Sequence, residues 1–295
     1  MAAPLRGTQS LVGQMGWVFQ RPVLTAIEIA WRWLFGVPLL LLCWIESQKI
    51  FAVVPPESAG LTTLDPQNPW VAAVQLSSAW ALYQPHVMVI MRWLLPLAAL
   101  AWVVVSGLGR SFIFKRMDTT LSFRPVAMIV LQTAWLAFFA LTCWGWLRSM
   151  LWVAATHITP NAEPELIGFA VWTIFLSLGF FTAWALLSWA LSIAPLVLLL
   201  ENRSVLSALG QSLRLGRPMT AKLVEINMVM GIVNLALLVL AMVLSAAPLP
   251  FSDQLGSEAL HAVWATATVF YFVASDYFQV VRLKGFQEFC KMFRG

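Results

Sequence analysis

Residues 166–191, LIGFAVWTIFLSLGFFTAWALLSWAL, hold no charged side chain. As a helix rising 1.5 Å per residue this run is ~39 Å long, more than the ~30 Å hydrocarbon core of a bilayer. A helix apolar on all sides needs a membrane or a large protein core to cover it. At 295 residues, with 60% of them hydrophobic and 11% charged, the chain has no polar surplus from which to build such a cover. Average soluble domains carry roughly 25% charge. The class that follows is a polytopic membrane protein.

Other apolar segments of similar length recur. Strands of a barrel would be ~10 residues long with alternating polarity, so helices are the reading. Spans are predicted over 30–50, 87–108, 125–147, 166–191, 224–245 and 259–281, with 71–83 as a short interfacial helix. The expected fold is all-α: a polytopic transmembrane bundle of about six spanning helices plus an amphipathic cytoplasmic helix. Its organisation is an N-terminal segment 1–29, a single membrane domain 30–281 and a basic tail 282–295. Residues 1–21 lack an apolar h-region, so the first span is expected to remain as a signal anchor.

Charge orients this frame. Fifteen of the 18 Lys and Arg residues fall on alternate connections and the two ends, and only Lys49, Arg92 and Arg148 fall on the other side. The positive-inside rule then places both termini in the cytoplasm. Trp44, Trp70, Trp80, Trp144, Trp146 and Trp152 map near the outer boundary, and Trp17, Trp31 and Trp33 near the inner one. The net charge of +5 suits contact with anionic lipid and gives no reason to expect nucleic acid.

Catalytic signatures are missing. There is no HExxH zinc pair, no GxSxG elbow and no phosphate-cradling GxxxxGK[ST]. The expectation is a protein that is not an enzyme and carries no cofactor. His86, His157 and His261 all map to the outer side, and none lies three or four residues from another. They read as interfacial hydrogen-bonding groups rather than metal ligands. Cys43, Cys143 and Cys290 read as small buried hydrophobes.

Charge inside spans is costly and therefore informative. Glu28 and Arg32 are four apart on one helix face, and Glu46 and Lys49 are three apart near its outer end. Arg92 lies in the second span and Asp276 in the sixth. These groups either line a solute or proton path, or pair between helices and snorkel to the nearest interface. The second reading fits their positions near span ends. It gives a non-enzymatic accessory or scaffold protein, with a transporter or channel subunit for a small or lipid-like solute as the alternative. Other membrane proteins are expected partners alongside lipid.

Beyond the fourth span the sequence reads APLVLLLENRSVLSALGQSLRLGRP. Pro195 is expected to bend the helix, since it lacks an N–H and clashes with the preceding turn. Val205, Leu209 and Leu213 then recur every four residues, predicting an amphipathic helix over 204–215 that lies in the membrane plane. Arg214 and Arg217 are placed to reach lipid phosphates.

Pro195, Glu201, Ala208, Ser212 and Arg214 occupy positions similar to the signature of the glycerophosphodiester-phosphodiesterase membrane-domain superfamily. The resemblance covers the second half of the chain. It departs at Arg217-Pro218-Met219, where that family often carries Arg-Gly-aromatic. It implies a six-helix bacterial membrane fold without the soluble catalytic barrel, and it names no activity.

Overall fold

A computed structural model describes residues 7–64, 68–158, 165–214, 217–246 and 257–292. Among them the regular structure is helical, with no strand. Helix α1 (Gly7–Phe19) passes through Gln20 and Arg21 into α2 (Pro22–Val53). Then come α3 (Pro69–Met117), α4 (Pro125–His157), α5 (Leu166–Leu191), α6 (Ala194–Leu200), α7 (Val205–Leu213), α8 (Arg217–Ala246) and α9 (Ser257–Met292). Pro125 and Pro195 stand in the first turns of α4 and α6, where the missing N–H has no intrahelical partner to lose.

Among the described residues, five stretches are long and apolar enough to cross a membrane: Pro22–Val53, Val74–Met117, Pro125–His157, Leu166–Leu200 and Leu223–Val243. The chain is a multi-pass membrane protein. The sixth expected span, 259–281, lies within α9, whose apolar run is interrupted by Thr266, Thr268, Ser275 and Asp276. The segment 71–83 is no separate helix. It is the first part of α3, which continues unbroken through Pro85 and Pro96.

The helices exceed the predicted spans at their ends. At 1.5 Å per residue the 49 residues of α3 extend ~73 Å and the 36 of α9 ~54 Å. A bilayer core of ~30 Å leaves turns of both in the headgroups or in water. Segment 282–292, the described part of the basic tail, is the end of α9.

Two compact units are present, Ala30–Ser106 and Met1–Ile29 with Gly107–Gly295. The smaller is a helical hairpin in which aromatic rings fill the space between α2 and α3. Trp102 packs against Trp31 at 5.8 Å and Phe35 at 5.2 Å. Near the turn, Tyr83 meets Phe51 edge-on at 6.0 Å, and its hydroxyl donates to the Val54 carbonyl at 3.2 Å. Trp31 is thus a buried packing residue and not a belt residue, unlike the exposed Trp44, Trp80, Trp144 and Trp152.

The larger unit is held by close backbone approach and by a core at one end. Gly107 of α3 lies against α4: a Cβ there would stand 2.9 Å from both the Cα and the N of Ile129. Ser111, one turn on, donates to the Gly107 carbonyl at 2.8 Å. This small-xxx-small pair lets two helices touch, as is usual where lipid supplies no hydrophobic drive for association.

Because the Gly107 clash is with backbone, it has no cheap relief. Gly107→Ala should destabilise the protein by about 1–3 kcal/mol through overpacking. Gly179, with nothing within 4 Å of its would-be Cβ, should accept alanine neutrally or gain up to ~1 kcal/mol of helix propensity. Thermal unfolding of the two variants in detergent checks both signs.

Candidate functional site: a packed core at the basic end

Buried side chains of the larger unit collect where its helices carry their Arg and Lys. They come from α1 (Leu11, Val18), the end of α3 (Ile113, Phe114, Met117), the start of α4 (Met128, Leu131), α6 up to Leu199, and the start of α8 (Leu223, Ile226, Met230). The last third of α9 adds Val280, Val281, Leu283, Phe286, Phe289 and Cys290. Helix α6 is the centre of this core. Every residue from Ala194 to Leu199 is buried. In the Leu166–Leu200 span 44% of the apolar window is buried, against 11% to 17% in the others. The end of that apolar run therefore serves protein rather than lipid.

The break after it is a tight turn. Ser192 and Ile193 separate α5 from α6, immediately before Pro195. Asn202 then takes a left-handed conformation (φ 50°), which asparagine tolerates better than most side chains. Ser204 caps α7, its hydroxyl accepting from the Ser207 N–H at 3.4 Å. Glu201 accepts from Arg203 Nε at 3.1 Å and Gln211 Nε2 at 3.3 Å, and Arg124 Nη1 donates to the Arg203 carbonyl at 3.2 Å. The Glu-Asn-Arg triplet is a helix exit locked by its own side chains.

Helix α7 follows the prediction in place. It covers Val205–Leu213, and its buried residues are Ala208 and Ser212, while Leu213 is exposed. Spacing of four drifts by 40° per step, so Val205, Leu209 and Leu213 do not share one contact line. The small side chains win the inner face because α7 lies close on α6.

Two clasps close the core. Asp118, just past α3, forms an ion pair with Lys291 at 2.7 Å and accepts from Gln287 Nε2 at 3.3 Å. Its other oxygen accepts from the Thr120 hydroxyl at 2.6 Å and the Thr120 N–H at 3.0 Å. The Lys291 and Thr120 hydrogen bonds hold its carboxyl at about 2, well below the ordinary carboxylate range. The second clasp straps α1 to α9. Tyr277 donates to the Met15 carbonyl at 2.8 Å, and Trp17 takes Arg21 and Lys284 over its ring at 3.9 and 4.3 Å. Gly285 is small where the Gln14 side chain comes within 2.8 Å of its would-be Cβ.

The charged residues singled out from sequence divide between the two units and their surfaces. Glu28 and Asp276 lie deep in the larger unit, 1% and 4% exposed, and neither stands isolated there. Arg32 is half-buried beside Trp31, its guanidinium 5.5 Å from the ring centre. Glu46 and Lys49 form the expected pair at 2.6 Å. Arg92 is exposed on α3, and Arg214 is exposed at the end of α7. Arg217 begins α8, but its side chain lies outside the described residues. His157 bonds Glu165 at 2.8 Å, and no three of His, Cys, Asp and Glu converge among the described residues.

Asp118 and Gln287 were not singled out in the sequence, while Trp17 was read only as an inner-boundary ring and Lys284 and Lys291 only as part of the basic tail. A signal for the α9 members existed, since Leu283, Phe286 and Cys290 carry the helical three-and-four spacing beyond residue 281. What the arrangement does chemically is mechanical. It fixes the basic ends of helices to one another by charge-assisted hydrogen bonds over an apolar core.

Asp118 gives this core an acid limit. A carboxyl held low when folded contributes stability that is complete above its unfolded pKa near 3.8 and lost as pH falls towards 2. Asp118→Asn should lower stability by ~1 kcal/mol at neutral pH, a charged hydrogen-bond network discounted for the solvent at Lys291. It should also flatten the loss between these two pH values, which melting curves of both proteins across that range measure.

No family model, curated protein or solved structure matches the chain.

Proposed function

We infer that the protein is a non-enzymatic accessory or scaffold protein of the bacterial inner membrane, with its basic end and both termini in the cytoplasm. The observation that carries this reading is the fate of the intramembrane charges. A carrier or channel needs ionisable groups where water and solute reach them. Here Glu28 and Asp276 are sealed in a packed core, Glu46 with Lys49 is paired at the far end of α2, and of these groups Arg92 is exposed within a span. What the spans offer instead is apolar surface. Val171, Ile174, Phe175, Leu178 and Phe181 of α5 are all exposed, a face suited to lateral contact with other membrane helices. The signature around Pro195, Glu201 and Ser212 supports placing the chain with the membrane part of the superfamily it resembles.

The test uses the whole protein. A photo-crosslinker at Leu178 or Phe181 in native membranes should give a discrete protein adduct. In proteoliposomes, Glu28→Cys and Asp276→Cys should stay unreactive to an impermeant maleimide applied from either side. Labelling of either cysteine, together with flux of a small solute across the vesicle, would replace the scaffold reading by the transporter one. A reporter fused after residue 295 should be cytoplasmic. A cysteine at Gln67, which lies outside the described residues, should react from outside the cell.

A further inference from the structure

Two short helices at the basic end each have one face on the core and one face uncovered. Helix α1 buries Leu11, Gln14 and Val18, and leaves Val12 67% and Phe19 78% exposed. Val23, in the first turn of α2, is also exposed. Within α1, residues 12, 16 and 19 fall at helical spacing, and a Cβ on Gly13 or Gly16 would meet nothing within 4 Å. Helix α7 buries Ala208 and Ser212 and leaves Leu206 82% and Leu213 51% exposed, with Gly210 equally open. Apolar side chains of this size forgo about 1.5–3 kcal/mol each when left in water.

Chain continuity fixes where these faces lie. Gln20 and Arg21 are the only link between α1 and the spanning helix α2. Helix α7 sits between α6, the end of the Leu166–Leu200 span, and α8, which carries the Leu223–Val243 span. Both helices are therefore tethered at a membrane boundary. Exposed arginines flank them: Arg21 after α1, Arg203 before α7 and Arg214 after it. Narrow apolar ridges bracketed by guanidinium groups match a layer that offers acyl chains and phosphates together.

We propose that α1 and α7 lie in the headgroup layer of the leaflet at the basic end, and that Arg21 and Arg214 bind phosphates of anionic phospholipid there. Val12, Phe19, Leu206 and Leu213 enter the acyl boundary beneath. The collar does not rest on the scaffold reading, because a transporter could carry it equally.

The experiment places an environment-sensitive probe at Val12→Cys, Phe19→Cys, Leu206→Cys or Leu213→Cys in the full-length protein. The proteins are reconstituted in phosphatidylcholine vesicles with or without phosphatidylglycerol. The expected result is quenching by lipid spin-labelled near the carbonyls, shielding from a water-soluble quencher, and stronger quenching by labelled phosphatidylglycerol than by labelled phosphatidylcholine. Arg214→Gln should lower that lipid preference about fivefold at the α7 probes, and Arg21→Gln should do the same at the α1 probes. Arg21 also packs on Trp17, so Arg214→Gln is the check free of that contact. Equal quenching by the two lipids overturns the proposal, as does full water exposure at all four positions. So do Phe19→Cys disulfide dimers that persist on dilution into excess lipid, since a second copy would then cover the face.

Discussion

The hydrophobic effect acts only where there is water. Inside a bilayer, lipid tails solvate leucine as well as another leucine does, so helices there have little reason to pack tightly. Through most of their length α2, α4 and α8 leave apolar side chains open. Where the helices of the larger unit converge at their basic ends, the same residue types become a dense core around α6.

A core at a membrane boundary must also manage polar groups, because its backbone termini and charges cannot be left to hydrocarbon. The larger unit does this with short-range devices. An asparagine in the left-handed region and a serine cap carry the chain from α6 to α7, and one carboxylate gathers four donors at the end of α3. The close contact of α3 with α4 has a different basis. Gly107 and Ser111 remove side-chain bulk so that dispersion between backbones replaces the missing hydrophobic drive.

Features that depend on one segment alone were legible in the sequence. The bounds of α5 follow from its charge-free run, the exit at Glu201 from the loss of that run, and the Glu46–Lys49 pair from spacing. Features that depend on a partner were not. Residues 282–292 look like a solvated basic tail until α3 brings Asp118 to Lys291. Residues 7–19 look featureless because half of that helix's apolar side chains serve the core and half do not. The inner face of α7 was not legible for the same reason. Leucine periodicity reports where apolar side chains lie, whereas a close neighbour selects small ones, Ala208 and Ser212. The deep positions of Glu28 and Asp276 likewise depend on the helices packed around them.

The strap between α1 and α9 has a consequence in time. Met15 and Tyr277, joined by one hydrogen bond, are 262 residues apart in the chain. At synthesis rates of ~5–20 residues per second, Met15 is made roughly 15–50 s before Tyr277 emerges. Throughout that interval the inner face of α1 and the apolar surface of α6 stand without the helix that covers them. The core cannot close until the last turns of α9 have been made and reach α1.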